Sequence, residues 1–185
     1  MSAQKLRSDT WREKAILLIE DNGDDAKLTT VALQKIQPGL AVEIVQNGQL
    51  ALDYLKRELN HADRVLHPLP DLILLDVYMP GTSGFQVLQW VRSEPAMSRT
   101  AVVVISGSER EEDAKKAYQG GADAYLIKPA NFGLWLLMLE AVLLGWFRFG
   151  QIPNSIKYPP PSVPTSNQTR SSLHHGVDGR ADALI

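Results

Sequence analysis

The sequence predicts an α/β fold in which a doubly wound parallel sheet of five strands carries helices on both faces. Five short apolar runs alternate with longer runs of helical periodicity before about residue 150, and strict alternation is typical of a parallel sheet. Runs such as VVVI at residues 102–105 lack polar alternation, as expected of strands buried on both faces. Five strand–helix pairs are too few for an eight-unit barrel, so an open sheet is expected.

The elements can be placed in order along the chain. Helical spacing is plain in Leu52, Leu55 and Leu59. Strands are predicted at residues 15–20, 41–47, 72–77, 101–107 and 124–129, and helices at residues 24–36, 49–62, 83–94, 109–121 and 132–147.

The chain is predicted to have three parts, which are an N-terminal extension (residues 1–12), one folded domain (13–149) and a disordered tail (150–185). The N-terminal residues are polar and lack the apolar core of a signal peptide. The tail holds five of the eleven prolines and many Ser, Thr, Asn and Gln residues. Such a segment buries too little apolar surface to offset the entropy cost of ordering.

Composition excludes several classes of protein. The chain has no cysteine, which rules out disulfides and Cys-based zinc sites and fits a cytoplasmic location. The formal net charge is −2, and the tail shows neither a helical pattern nor a basic patch. Binding to nucleic acid is therefore not expected.

The last predicted helix is unusually apolar. Its 16 residues, 132–147, fall short of the ~20 that a membrane-spanning helix needs, and Glu140 lies in the middle, so a packed helix is expected rather than membrane insertion. Its apolar residues exceed the stripe that one buried face requires, and such an excess marks an interface. We therefore expect a homodimer through this helix, whose apolar residues include Trp135, Leu136, Leu137, Met138, Leu139, Val142, Leu143, Leu144, Trp146 and Phe147.

Polar side chains stand at the carboxyl ends of four predicted strands, where open α/β sheets form their sites. Glu20 and Asp21 follow the first strand, Asp76 lies in the third, Ser106 follows the fourth and Lys128 the fifth. Three close carboxylates repel one another unless a cation intervenes, and Mg²⁺ prefers such oxygen ligands.

This set of residues indicates phosphoryl chemistry. An aspartate can accept a phosphoryl group, and a lysine and a serine can bind phosphoryl oxygens. We expect Asp76 to be the acceptor, Glu20 and Asp21 to hold Mg²⁺, and Ser106 and Lys128 to bind the phosphoryl group.

The same residues lie in motifs that resemble the receiver domain of two-component response regulators, over about residues 13–148. The matching segments are LLIEDN (acidic pair), LLDVYMPGTSG (phosphoacceptor strand and loop), VVVISGS (Ser/Thr switch strand) and AYLIKP (aromatic-x-x-Lys-Pro). The resemblance implies a flavodoxin-like sheet of order 2-1-3-4-5. It also implies that Asp76 accepts phosphate from the phosphohistidine of a partner sensor histidine kinase.

Further roles follow from the resemblance alone. The backbone carbonyl of Tyr78 would complete the Mg²⁺ ligands, and Tyr125 would be an aromatic switch that turns inward when Ser106 moves toward the phosphate. Tyr78 and Ser108 occupy positions that tune autodephosphorylation in this family. Because a bulky Tyr78 would shield the phosphoryl group from water, a long-lived phosphorylated form is expected. The EDNxDD opening and the WF that ends the last helix look most like the single-domain regulators paired with bacterial phytochrome kinases.

The expected function is a phosphorylated switch that is not an enzyme in the ordinary sense, and it has three alternatives. A phosphatase-type hydrolase would need an Asp-x-Asp acceptor motif, whereas Val77 and Tyr78 follow Asp76. A flavin- or nucleotide-binding module would need a glycine-rich phosphate-binding loop after the first strand, where the sequence has EDNGDDA instead. A receiver fold that serves only protein interaction or dimerisation, without phosphotransfer, stays open.

Overall fold

A computed structural model describes residues 14–60 and 69–158 of the chain. Strands and helices alternate throughout these residues, which confirms the fold class predicted from the sequence. The strands are β1 (Ala15–Ile19), β2 (Ala41–Val45), β3 (Leu72–Leu75), β4 (Ala101–Ser106) and β5 (Ala124–Ile127), and the helices are α1 (Gly23–Ile36), α2 (Gly48–Asn60), α3 (Gly84–Ser93), α4 (Glu111–Gln119) and α5 (Phe132–Phe149). The predicted N-terminal extension lies outside the described residues.

The five strands form one parallel sheet in the order β2-β1-β3-β4-β5. This is the flavodoxin-like order that the resemblance implied. The strand order reverses between β1 and β3, and ligands bind in such sheets beyond the carboxyl ends of the strands at that point. The ends of β1, β3, β4 and β5 therefore lie along one edge, which positions the candidate site.

The sheet separates two hydrophobic cores. Residues such as Ile16 and Leu72 pack on the side of α1 and α5, whereas Leu17 and Ile73 pack on the side of α2, α3 and α4. Because successive strand residues point to opposite faces, continuous apolar runs are needed wherever both faces are covered. The edge strand β2 departs from this expectation, since only Val45 of its five residues is buried.

All five strands end one or two residues earlier than predicted. The third strand was predicted to include Asp76, but β3 ends at Leu75 and Asp76 is the next residue. Its N–H still donates to the carbonyl of Ile19 (2.9 Å), so backbone bonding to β1 continues for one residue while the chain leaves the sheet. The fourth strand was predicted over residues 101–107, and β4 ends at Ser106.

Helix α5 has 18 residues and a mean hydropathy of 1.6, so by length and composition it could cross a membrane. A core helix of a folded domain can have the same composition. One side of α5 is buried on the sheet through Trp135, Leu139 and Leu143, and the indole N–H of Trp135 donates to the hydroxyl of Thr29 on α1 (3.2 Å). Helix α5 therefore packs on the sheet along one side, with 28% of its residues buried.

The chain does not leave the domain after α5. Ile152 is buried, and Tyr158 donates its N–H to the carbonyl of Tyr125 in β5 (2.8 Å) and its hydroxyl to the carbonyl of Glu109 (2.6 Å). A Cβ on Gly145 would lie 2.5 Å from Cδ of Pro153, so the glycine permits this close return. The disordered tail predicted from residue 150 is therefore wrong for residues 151–158, and the rest of it, 159–185, lies outside the described residues.

We expect Tyr158→Ala to lower the free energy of unfolding by about 1–2 kcal/mol, because it removes a hydroxyl hydrogen bond and an aromatic contact. The exposed Ser155, in the same returning segment, offers a matched control as Ser155→Ala. Urea denaturation of both variants measures the effect. Equal stability of the two would mean that the segment does not pack on the domain in solution.

Candidate functional site

The carboxyl ends of the strands bring three of the predicted residues into direct contact. The ammonium of Lys128, just beyond β5, donates to Oδ2 of Asp76 (2.8 Å) and to Oε2 of Glu20 (2.7 Å). Glu20 is fully buried and Asp76 is 7% exposed. Buried charges are tolerated when they are paired and hydrogen-bonded, and Lys128 provides both for Glu20 and Asp76.

A fourth charged residue, Asp25, was not predicted. Its Oδ2 accepts a third hydrogen bond from Lys128 (2.9 Å). Asn22 caps α1 by accepting from the N–H groups of Asp24 and Asp25, which places Asp25 in the first helical turn above the site. The available signal was the second acidic pair in EDNGDD, which stands where a helix begins.

The crowding of charges shifts two pKa values. Burial raises the pKa of Glu20 to about 7, although the hydrogen bond and charge of Lys128 oppose the shift. Burial alone would lower the pKa of Lys128, but its hydrogen bonds to Asp76, Glu20 and Asp25 raise it above the ordinary value. The lysine therefore stays charged while the site holds an excess of carboxylates.

Glu20 should give the metal-free protein a distinctive pH dependence. Its pKa is about 7 in the folded state and 4.5 in the unfolded chain, so between these values the folded state binds a proton that the unfolded state lacks. The free energy of unfolding should therefore fall as pH rises through this range. The Glu20→Gln protein should not show this fall in the free energy of unfolding, because glutamine does not titrate. Urea denaturation in EDTA at several pH values measures both proteins, and parallel curves would contradict the prediction.

Three carboxylates could hold a metal ion. Each of Glu20, Asp21 and Asp76 offers an oxygen, and these three atoms lie within 4.8 Å of one another. Hard oxygen donors of this kind suit Mg²⁺, which takes a few carboxylates and keeps other positions for water and phosphate. The donor set therefore fits the predicted ion. Tyr78 donates its N–H to Oδ1 of Asp76 (2.9 Å), and the role of its carbonyl as a ligand stays a prediction.

Ser106 is buried at the end of β4 beside this cluster. Its Oγ accepts from the N–H of Ser108 (3.1 Å), and its carbonyl accepts from the N–H of Lys128 (2.8 Å). The backbone thus ties the predicted phosphoryl-binding serine directly to the predicted phosphoryl-binding lysine.

Tyr125, the predicted aromatic switch, is fully buried in β5. Its hydroxyl donates to the carbonyl of Ser108 (2.9 Å), and its ring lies 6.2 Å from the ring of Tyr158. The ring therefore already points inward, and the returning segment covers it.

Asp113 joins the site from α4 and was also not predicted. Its Oδ2 accepts from the hydroxyl of Tyr78 (2.6 Å) and from the hydroxyl of Ser108 (2.6 Å). Asp113 is one of three acidic residues in the first turn of α4, so nothing in the sequence singled out this carboxylate, which is 6% exposed.

Comparison with known proteins agrees with this arrangement. The model of the response regulator receiver domain family matches residues 16–139. The chain belongs to this family. Receiver domains of response regulators are phosphoacceptor switches of two-component systems and not enzymes in the ordinary sense.

Similar proteins include regulators linked to light sensing. The crystal structure of the phosphorylated cyanobacterial phytochrome response regulator RcpA is 31% identical, with a TM-score of 0.66, and the match covers 76% of this receiver chain and 99% of that one. The structure of RPA3017, a response regulator in red light signaling of R. palustris, is 27% identical, with a TM-score of 0.65 and coverage of 76% and 98%.

A third relative is Response regulator Rcp1 of Synechocystis sp., which is 29% identical over 140 residues, or 76% of this chain and 93% of Rcp1. A solved structure of Rcp1 in its Mn²⁺-bound form is 28% identical, with a TM-score of 0.64 and coverage of 76% and 99%. All three relatives are matched over nearly their whole length, so the likeness covers complete single receiver domains.

Proposed function

We propose that this protein is a response regulator of a two-component phosphorelay in which Asp76 accepts a phosphoryl group from the phosphohistidine of a sensor histidine kinase. The observation that carries the proposal is the position of Asp76, beyond the central strand β3, with one oxygen on Lys128 and with Glu20 and Asp21 close by. A switch of this kind acts in the cytoplasm, where the kinase presents its phosphohistidine, and signals through protein contacts.

In the transfer, an oxygen of Asp76 attacks the phosphorus atom of the phosphohistidine. The new O–P bond forms as the N–P bond breaks, and the departing imidazole takes up a proton from solvent. Lys128 then exchanges its bond to the free carboxylate for one to a phosphoryl oxygen, and the hydroxyl of Ser106 donates to another. These two donors stabilise negative charge as it develops on the phosphoryl group.

Glu20, Asp21, Asp76 and the backbone carbonyl of Tyr78 would hold Mg²⁺. When bound, the ion offsets the charge of the carboxylates and of the incoming phosphoryl group. The Mn²⁺-bound form of the related Rcp1 supports a divalent cation in this family. Without a cation, the carboxylates of the site would repel the phosphoryl donor.

Beryllofluoride, which mimics a phosphoryl group on an aspartate, tests the proposed function without covalent chemistry. Mg²⁺ together with beryllofluoride should raise the melting temperature of the wild type beyond the value with Mg²⁺ alone, because a ligand that binds only the folded state stabilises it. Asp76→Asn should lose the additional shift. No additional shift in the wild type would count against the proposal.

A phytochrome-type histidine kinase is the proposed partner. RcpA is described as a phytochrome response regulator and RPA3017 acts in red light signaling, and both match this chain over three quarters of its length. Phosphotransfer from a bacterial phytochrome kinase, compared with transfer from an unrelated histidine kinase at equal concentration, tests the pairing. Equal rates from the two kinases would contradict it.

Exposed apolar side chains support a homodimer through α5 and its neighbour α1. Leu134 and Leu137 on α5 are exposed, as are Leu28 and Val31 on α1, and burial of such side chains would drive self-association. Leu137→Glu should shift the protein toward monomer in sedimentation velocity, whereas Lys56→Glu, an exposed charge change on α2 at the opposite side of the sheet, should not. A wild type that sediments as a monomer with and without beryllofluoride would rule out the dimer.

A further inference from the structure

Asp113, in the first turn of α4, is a buried carboxylate that phosphoryl transfer itself does not use. It accepts hydrogen bonds from the hydroxyls of Tyr78 and Ser108, both at 2.6 Å, and the guanidinium of Arg110 lies 3.8 Å away. A buried carboxylate costs free energy unless such partners satisfy it. The hydrogen bonds from Ser108 and Tyr78 hold the pKa of Asp113 below its usual value, so the group is ionised at neutral pH.

The two residues that donate to Asp113 also touch the site with their backbones. The N–H of Tyr78 donates to Oδ1 of Asp76 (2.9 Å), and the N–H of Ser108 donates to Oγ of Ser106 (3.1 Å). Each residue therefore contacts a site residue at one end and Asp113 at the other. One carboxylate on α4 holds the loop after β3 and the loop after β4 together.

Asp113 anchors Tyr78 and Ser108 through these hydrogen bonds. This anchor matters most for Tyr78, which is 53% exposed. An exposed aromatic side chain can occupy several staggered rotamers, but the hydroxyl bond to Asp113 holds this ring in one position. The side chain bridges the loop after β3 and the start of α4, beside the phosphoacceptor. Its position is therefore set by α4 and not by its own loop.

From this geometry, and resting on the proposed function, we infer that Asp113 is a positioning residue that sets the lifetime of the phosphorylated protein. It does not touch the reacting atoms. It holds Tyr78 and Ser108 beside the phosphoryl group on Asp76, where they limit the approach of the water that would attack phosphorus and release phosphate. Loss of this anchor frees the tyrosine and exposes the phosphoryl group.

The experiment follows the decay of the phosphorylated protein by intact mass after removal of acetyl phosphate. Asp113→Ala should decay about tenfold faster than the wild type, the effect of losing about one net hydrogen bond. Asp113→Asn, which keeps the size and one acceptor oxygen, should decay at an intermediate rate. Glu112→Ala, an exposed acidic residue in the same helical turn, should decay like the wild type and controls for the loss of charge near the helix N-terminus.

A second comparison tests whether Asp113 acts through Tyr78 and Ser108 or only by stabilising α4. If Asp113 acts through its two donors, adding Asp113→Ala to a Tyr78→Phe/Ser108→Ala protein should not accelerate decay further, because the effects of coupled residues are not additive. Wild-type decay rates in both Asp113→Asn and Asp113→Ala would overturn the inference, as would additional acceleration in the triple variant. Failure of the wild type to gain any phosphoryl group would overturn the proposed function itself, and this inference with it.

Discussion

Replacing Lys128 with alanine should cause the largest combined loss of stability and chemistry in the chain. The variant leaves Glu20 and Asp76 buried side by side without the cation that donates to both. Removing one partner of a buried ion pair typically costs about 3–5 kcal/mol. We therefore expect a loss of about 3 kcal/mol in urea denaturation at pH 8 in EDTA. Mg²⁺ should restore part of this stability, since its charge also offsets the carboxylates.

Phosphorylation of the same variant should not recover with Mg²⁺. Lys128 donates to a phosphoryl oxygen in the proposed transfer, and loss of one such donor typically slows a reaction by about 10²–10³-fold. Lys14→Ala is a matched control, because Lys14 forms an ion pair with Asp71 (2.8 Å) in which both side chains are about one-third exposed, and exposed pairs contribute about 1 kcal/mol or less. A Lys128→Ala protein as stable in EDTA as Lys14→Ala would refute the account of the charge cluster.

Gly84→Ala should be strongly damaging although it leaves every polar group of the site in place. A Cβ at position 84 would lie 2.1 Å from the carbonyl oxygen of Asp76 and 2.7 Å from Cα of Val77. Both are backbone atoms, so α3 and the phosphoacceptor loop would have to move apart. Overpacking of this kind costs about 3 kcal/mol, and displacement of Asp76 should slow its phosphorylation as well.

Gly23→Ala provides the control for this prediction. Gly23 also begins a helix near the site, but a Cβ there meets nothing within 4 Å. Alanine at such a helical position is neutral or stabilises by about 0.4–1 kcal/mol. Urea denaturation and the rate of phosphorylation by acetyl phosphate measure both variants, and a Gly84→Ala protein that matches Gly23→Ala in both would contradict the close approach.

The fold and the centre of the site could be predicted because both depend on strands. Apolar runs without polar alternation identify buried parallel strands, and the end of each run identifies the edge where side chains meet. Glu20, Asp76 and Lys128 were found in this way and are in direct contact. The edge strand β2 was predicted in position but not in exposure, because its apolar residues did not reveal that it lies at the edge of the sheet, paired with β1 alone.

The features of the site and fold that the sequence did not predict depend on side chains from helices or from distant segments of the chain. Asp25 and Asp113 lie in the first turns of α1 and α4, where an acidic residue also has an ordinary explanation in the helix dipole. Tyr158 lies in a proline-rich segment whose composition favours disorder. Its packing depends on a local fit to Tyr125 and on the room that Gly145 leaves, and neither is visible in composition.

The most direct test of the central claim is the intact mass of the protein after incubation with acetyl phosphate. With Mg²⁺, the wild type should gain the mass of one phosphoryl group, and the gain should be absent in EDTA and in Asp76→Asn. Lys14→Ala, whose ion pair lies at the other end of β1, should be phosphorylated like the wild type. An unmodified wild type, or an Asp76→Asn protein that gains the same mass, would contradict the assignment of Asp76 as the phosphoacceptor.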